Sequence, residues 1–199
     1  MVDPKTDSIL DEGNRLFLKG KIKEAITYYD KILSENPKHI SSLNNKGYAL
    51  SKLKDFENAM RCYDAALQIN PNDLSVLVNK ISSFRKQGNF AEALSLCDKI
   101  LNSIPNYNIA LYHKERILFS MEKFSESILC CDSILKDYPD NGDILFDKSC
   151  NLAMLSKIDE ALNLLERAIS QGIQYKVKAK KSRVFEKLLD DSRFKELTS

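Results

Sequence analysis

Four prolines set the frame of this chain. Pro37, Pro71, Pro105 and Pro139 recur every 34 residues and close the segments "LSENP", "LQINP", "LNSIP" and "LKDYP". Proline lacks an N–H and clashes with the preceding helical turn, so each one marks the end of a helix. A fixed period of this length indicates a repeat architecture, in which stacking buries the apolar faces that a single unit leaves open. Other positions keep the same register. Ala25, Ala59, Ala93 and Ala161 share one slot, with Ser127 as its fourth member. Ile22, Phe56, Phe90, Phe124 and Ile158 share another, and Leu33, Leu67, Leu101, Leu135 and Ile169 a third.

Each unit contains two amphipathic helical patterns, A and B. In the second unit Leu43, Gly47 and Leu50 lie on one face of helix A, and Ala59, Tyr63, Ala66 and Leu67 on one face of helix B. These spacings are helical, not those of a strand. A short polar break, "KLKD", separates the two, and the first and third units place Gly20 and Gly88 there, suited to a left-handed helix terminus. A helix of about 13 residues is marginal alone, so packing between units must supply the stability.

On these residues the chain resembles the tetratricopeptide repeat (TPR) family. The match is best at Leu43, Gly47, Leu50, Ala59, Tyr63, Ala66 and Pro71. The resemblance implies an all-α fold: a right-handed superhelix, or α-solenoid, of about five helical hairpins plus a C-terminal capping helix. The chain is expected to be a single domain over 1–199, with units near 6–39, 40–73, 74–107, 108–141 and 142–174. One helix near 175–189 and a short helical end around Phe194 form the cap and tail, 175–199. The small slot of helix A holds Gly13 and Gly47 but then Ile81, Glu115 and Ser149. Wider separation of helices A and B is expected in the third and fourth units.

A periodic lysine accompanies the frame: Lys46, Lys80, Lys114 and Lys148. Each follows an aspartate by 16 residues, at Asp30, Asp64, Asp98 and Asp132. Two readings compete, a cationic ladder facing a ligand and a set of ion pairs between successive units. Long stems packed on apolar neighbours favour the pairs.

In the resembled family helix A lines the concave face, where an extended or helical segment of another protein docks. The resemblance implies the residues that face it. In the first unit these are Asp7, Asp11, Asn14 and Phe17; in the second, Asn44, Asn45, Tyr48 and Lys52. The third unit contributes Asn79, Ser82, Arg85 and Lys86; the fourth, Tyr112, His113, Arg116 and Phe119; the fifth, Phe146, Asp147 and Cys150. Asparagine can bond a peptide backbone through both donor and acceptor, arginine can hold a carboxylate with two bonds, and tyrosine offers apolar area with a polar tip. The expected function is a non-catalytic protein–protein interaction scaffold, its partner an acidic or carboxy-terminal peptide segment with apolar flanks. The lysine, arginine and asparagine clamp with which some family members hold chaperone tails does not map onto this chain, because Leu10, Ser75 and Ile109 fall in slots that need cations.

The rival functions are weaker. Self-assembly, a homodimer through Phe17, Phe119 and Phe146, is the main alternative. No nucleophile–base set, paired acid motif or phosphate-binding glycine loop accompanies His39 and His113, so neither catalytic residues nor cofactors are expected. The five cysteines contain no C-x-x-C pair, and with two histidines a metal site is not expected. They read as reduced apolar fillers in a cytoplasmic protein. A net charge of +2, with its one dense cluster at "KVKAKK", gives no reason to expect nucleic acid. No apolar run reaches a membrane span, and "MVDPKTDSIL" lacks the pattern of a signal peptide.

Overall fold

The fold is described from a computed structural model covering residues 4–199. Among these residues it is all helical. The helices are α1 (Pro4–Leu18), α2 (Ile22–Glu35), α3 (Ile40–Lys52), α4 (Phe56–Ile69), α5 (Leu74–Gln87) and α6 (Phe90–Ser103). They continue with α7 (Asn108–Ser120), α8 (Phe124–Asp137), α9 (Gly142–Met154) and α10 (Ile158–Gln171). A tail of α11 (Gln174–Lys181), a 3-10 turn (Arg183–Leu188) and α12 (Ser192–Thr198) follows. The chain divides into two compact units, Met1–Leu96 and Cys97–Ser199, with the division inside α6.

Local chemistry explains the helix ends. Each of α2, α4, α6 and α8 stops two residues before a periodic proline. The turn after the proline supplies an N-cap: His39, Asp73 and Asn141 accept the backbone N–H of Ser42, Val76 and Ile144. Between helices A and B, Gly20 and Gly88 adopt φ of 77° and 80°. Lys54, Glu122 and Ser156 take the same left-handed turn at φ 65°, 60° and 60°. All five hairpin turns therefore share one backbone conformation, although only two carry the residue that adopts it without cost.

In the first unit α1 packs on α2 and α3 on α4, with α2 against α3 and α4 against α5. Tyr63 is wholly buried and lies so close to Gly47 that a Cβ there would meet its ring at 2.7 Å. The missing side chain is what lets α3 and α4 approach. Ala59 and Ala66, both fully buried, thin the α4 face in the same way. The periodic cations pair as the ion-pair reading expects: Lys46 with Asp30 and Lys80 with Asp64 here, Lys114 with Asp98 and Lys148 with Asp132 in the second unit.

In the second unit α7 packs on α8, α8 on α9 and α9 on α10. At Glu115 a polar contact joins the two helices of the hairpin. Ser127, in the slot that elsewhere holds alanine, donates to the Glu115 backbone carbonyl at 3.1 Å and to its carboxylate at 3.2 Å, holding α7 against α8. The tail also differs from the single helix expected over 175–189. It breaks at Ser182, whose hydroxyl accepts the Val184 N–H and starts a 3-10 turn. That break folds Phe185 and Phe194 onto one cluster with Leu145, Leu162 and Leu165, so the tail caps the last hairpin.

Candidate functional site

The A helices of the first unit, α1, α3 and α5, lie side by side. Two amide pairs tie them together. Asn45 Nδ2 donates to Asn14 Oδ1 at 2.8 Å, and Asn79 Nδ2 donates to Asn44 Oδ1 at 2.9 Å. The Tyr29 hydroxyl also donates to Asn14 Oδ1, at 3.0 Å. The asparagines expected to hold a peptide backbone thus spend part of their capacity on one another. Asn45 retains its second N–H and its carbonyl, positioned by the bond to Asn14.

Beside this ladder Tyr48 forms the centre of an aromatic and cationic group. The Phe17 ring lies 5.3 Å from it, and the ammonium groups of Lys52 and Lys86 stand 5.4 and 5.7 Å from its centroid. Asn14, Phe17, Leu18, Tyr29, Asn45 and Tyr48 line a cleft of about 300 Å³. Leu18 is 85% exposed at its rim, an apolar side chain in water that the helical pattern did not single out. Desolvation, and then the charges of Lys52 and Arg85, lower the Lys86 ammonium below the usual lysine value. Ser82 and Arg85 are half-buried on α5. Asp7 and Asp11 lie on α1 and line a separate, more polar cleft with Arg15 and Tyr28.

The candidates of the second unit are placed differently. Arg116 donates to the Tyr112 hydroxyl at 2.9 Å, covers that ring at 5.4 Å, and has the Asp147 carboxylate 3.6 Å away. Its charge is already answered within the unit. His113 is buried, with its ring 5.9 Å from Tyr112. Phe119 meets Phe124 edge-on at 5.4 Å and packs against the core.

Phe146 is not an open groove residue: it is buried, stacked on Tyr175 at 5.8 Å and edge-on to Phe185 at 6.1 Å. Lys178 covers both Phe146 and Tyr175 and pairs with Asp143 at 2.8 Å. The tail thus takes the surface that helix A of the fifth hairpin would otherwise offer. Cys150 is buried in the same cluster.

Two features of the second unit lay outside the sequence reading. An apolar cleft of about 330 Å³ lies among Asn108, Ile109, Tyr112, Ile134, Tyr138 and Ile144. Beneath the surface Glu115 is almost fully enclosed, bonded to Ser127 and, at 3.4 Å, to Asn151. Burial, reinforced by the Asp147 charge, pushes its carboxyl up to about 7. Its position in a slot that elsewhere takes small residues, facing a serine in the alanine slot, was the visible sign. Burial also raises all five cysteine thiols, so none is an activated nucleophile. Among the described residues no helix is long and apolar enough to cross a membrane.

The fold recurs in proteins of low sequence identity. A tetratricopeptide repeat protein from Parabacteroides merdae is 16% identical with a TM-score of 0.81, over 98% of this chain and 78% of that one. PilF of Pseudomonas aeruginosa is 13% identical with a TM-score of 0.78, over 96% and 88%. YrrB, described as a TPR protein with an unusual peptide-binding site, is 16% identical with a TM-score of 0.67, over 87% and 91%. No curated protein matches the sequence. Residues 5–129, more than half of the chain, match the family described as tetratricopeptide repeat protein 21 N-terminal ARM repeat. With its in-phase helical hairpins and α-solenoid fold class, the chain belongs to that family of tetratricopeptide-type repeat proteins.

Proposed function

We propose that this chain is a protein–protein interaction scaffold, and that a peptide segment of its partner docks on the A helices of the first unit. The observation that carries this reading is the cleft at Asn14, Phe17, Asn45 and Tyr48. Apolar walls stand there beside amides whose orientation is already fixed. Fixed donors and acceptors reduce the ordering cost of binding an extended chain. The repeat fold is typically a scaffold and not a catalyst, and YrrB, which shares it, carries a peptide-binding site. The second unit supports this role less well, because its tail covers Phe146 and Asp147 answers Arg116.

The test is selection from a random-peptide display library, followed by NMR mapping of an enriched peptide on the labelled protein. Shifts concentrated at Asn45, Tyr48 and Asn79 are expected. Shifts confined to the outer faces of α2 and α4, for example at Lys31 and Arg61, would contradict the proposed face.

A further inference from the structure

In the first unit two exposed cations gather over one aromatic ring, that of Tyr48. Lys46 and Lys80 each reach an aspartate, Arg15 reaches Glu12 and Arg61 reaches Glu57. Among the described residues Lys52 and Lys86 have no carboxylate partner. Both ammonium groups stand over the Tyr48 ring. Two cations gathered on one aromatic ring repel each other, and among the described residues no carboxylate forms an ion pair with either. After desolvation, the charges that lower Lys86 are those of Lys52 and Arg85, both of its own sign. Such a pair lowers the cost of bringing a negative charge to that spot. An anion there would gain bonds from two ammonium groups on a partly desolvated surface, where charge-assisted hydrogen bonds are strong. The apolar cleft lined by Phe17 and Leu18 shares Tyr48 with this cationic group, so one ligand can reach both.

We propose that Lys52 and Lys86 recognise an acidic side chain of the docked segment, an aspartate or glutamate lying next to an apolar residue that enters the Phe17–Leu18–Tyr48 cleft. This rests on the scaffold reading and adds to it the chemical class of the partner. Phe17 and Leu18 end α1, and the cations lie in the last turns of α3 and α5, so the segment crosses the C-terminal ends of these helices with its apolar residue at α1 and its acid at α3 and α5.

The experiment is display selection of random peptides on the wild-type protein and on the variant Lys52→Glu/Lys86→Glu, with Lys31→Glu on α2 as control. Circular dichroism establishes that each variant is folded. Expected is enrichment of peptides with Asp or Glu beside an apolar residue. Their binding should be weakened by about tenfold or more in the double variant and unchanged in the control. Replacing the peptide's acid by its amide should weaken binding to the wild-type protein similarly, a comparison that needs no protein variant. Enriched peptides without acids, or acids whose removal changes nothing, would overturn the inference while leaving the scaffold reading in place. A library that yields no binder would overturn both.

Discussion

Lys46, on the helix that begins the second hairpin, holds its Nζ 2.5 Å from Oδ1 of Asp30 on the helix that ends the first. The same step of 16 residues recurs at three further pairs, each joining helix B of one hairpin to helix A of the next. Both partners remain partly exposed, at 27% and 49% for the first pair, so solvent screens the attraction. Such a pair contributes about 0–1 kcal/mol. A double-mutant cycle with Lys46→Ala and Asp30→Ala, read by urea denaturation, should give a coupling energy in that range. The coupling should shrink as salt rises. A much larger, salt-independent value would mean the pair is more enclosed than its exposure indicates.

Gly47 sets two effects of opposite sign against each other. Alanine is better than glycine inside a helix by about 1 kcal/mol. Its Cβ, however, would stand 2.7 Å from the ring of Tyr63, which is fully buried and cannot easily yield. Overpacking of this kind costs about 1–3 kcal/mol. Gly47→Ala is therefore expected to lower the denaturation midpoint despite the gain in propensity.

The hairpin turns give a substitution expected to stabilise. Glu122 holds φ 60°, where a residue with a Cβ costs roughly 1–2 kcal/mol. Glycine removes that strain but loses about 0.5–1 kcal/mol of chain entropy on folding. Glu122→Gly should raise stability by about 0.5–1 kcal/mol, measured as a higher midpoint in thermal denaturation. The equivalent change at Ser156 should act in the same direction.

Much of this fold was legible because repeated positions carry repeated chemistry. The prolines marked helix ends, Gly20 and Gly88 marked left-handed turns, and the spacing of Lys46 from Asp30 implied their pairing. Lys54, Glu122 and Ser156 hid the same turn, since their side chains do not advertise a positive φ. The burial of Phe146 was not legible either. It depends on where Ser182 breaks the tail and on how Phe185 then folds back, which is tertiary information. The contact made by Glu115 was not legible, because a long side chain in a small slot does not reveal its partner on the facing helix. Its pairing with Ser127 instead lets a polar contact replace a van der Waals one.

Glu115 predicts a pH dependence of stability. Its ordinary value is 4.5, and burial with the nearby Asp147 charge raises it to about 7 in the folded chain. The folded state therefore holds the proton more tightly than the unfolded state. Stability falls as pH rises from about 4.5 and levels off above about 7, a loss on the order of 3 kcal/mol. Asp147, also raised by burial, acts in the same direction. Glu115→Gln, neutral throughout, should remove most of the slope in denaturation midpoints measured across this range. An unchanged slope would show that Glu115 is not the source.

The central claim is that a partner segment sits against Tyr48 on the A-helix face. A photo-crosslinking benzoyl-phenylalanine placed at position 48, and in a second protein at position 28 on α2, reads this directly with a display-selected peptide. A peptide adduct is expected at position 48 and none at position 28. Adducts at position 28 alone, or equally at both, would contradict the claim.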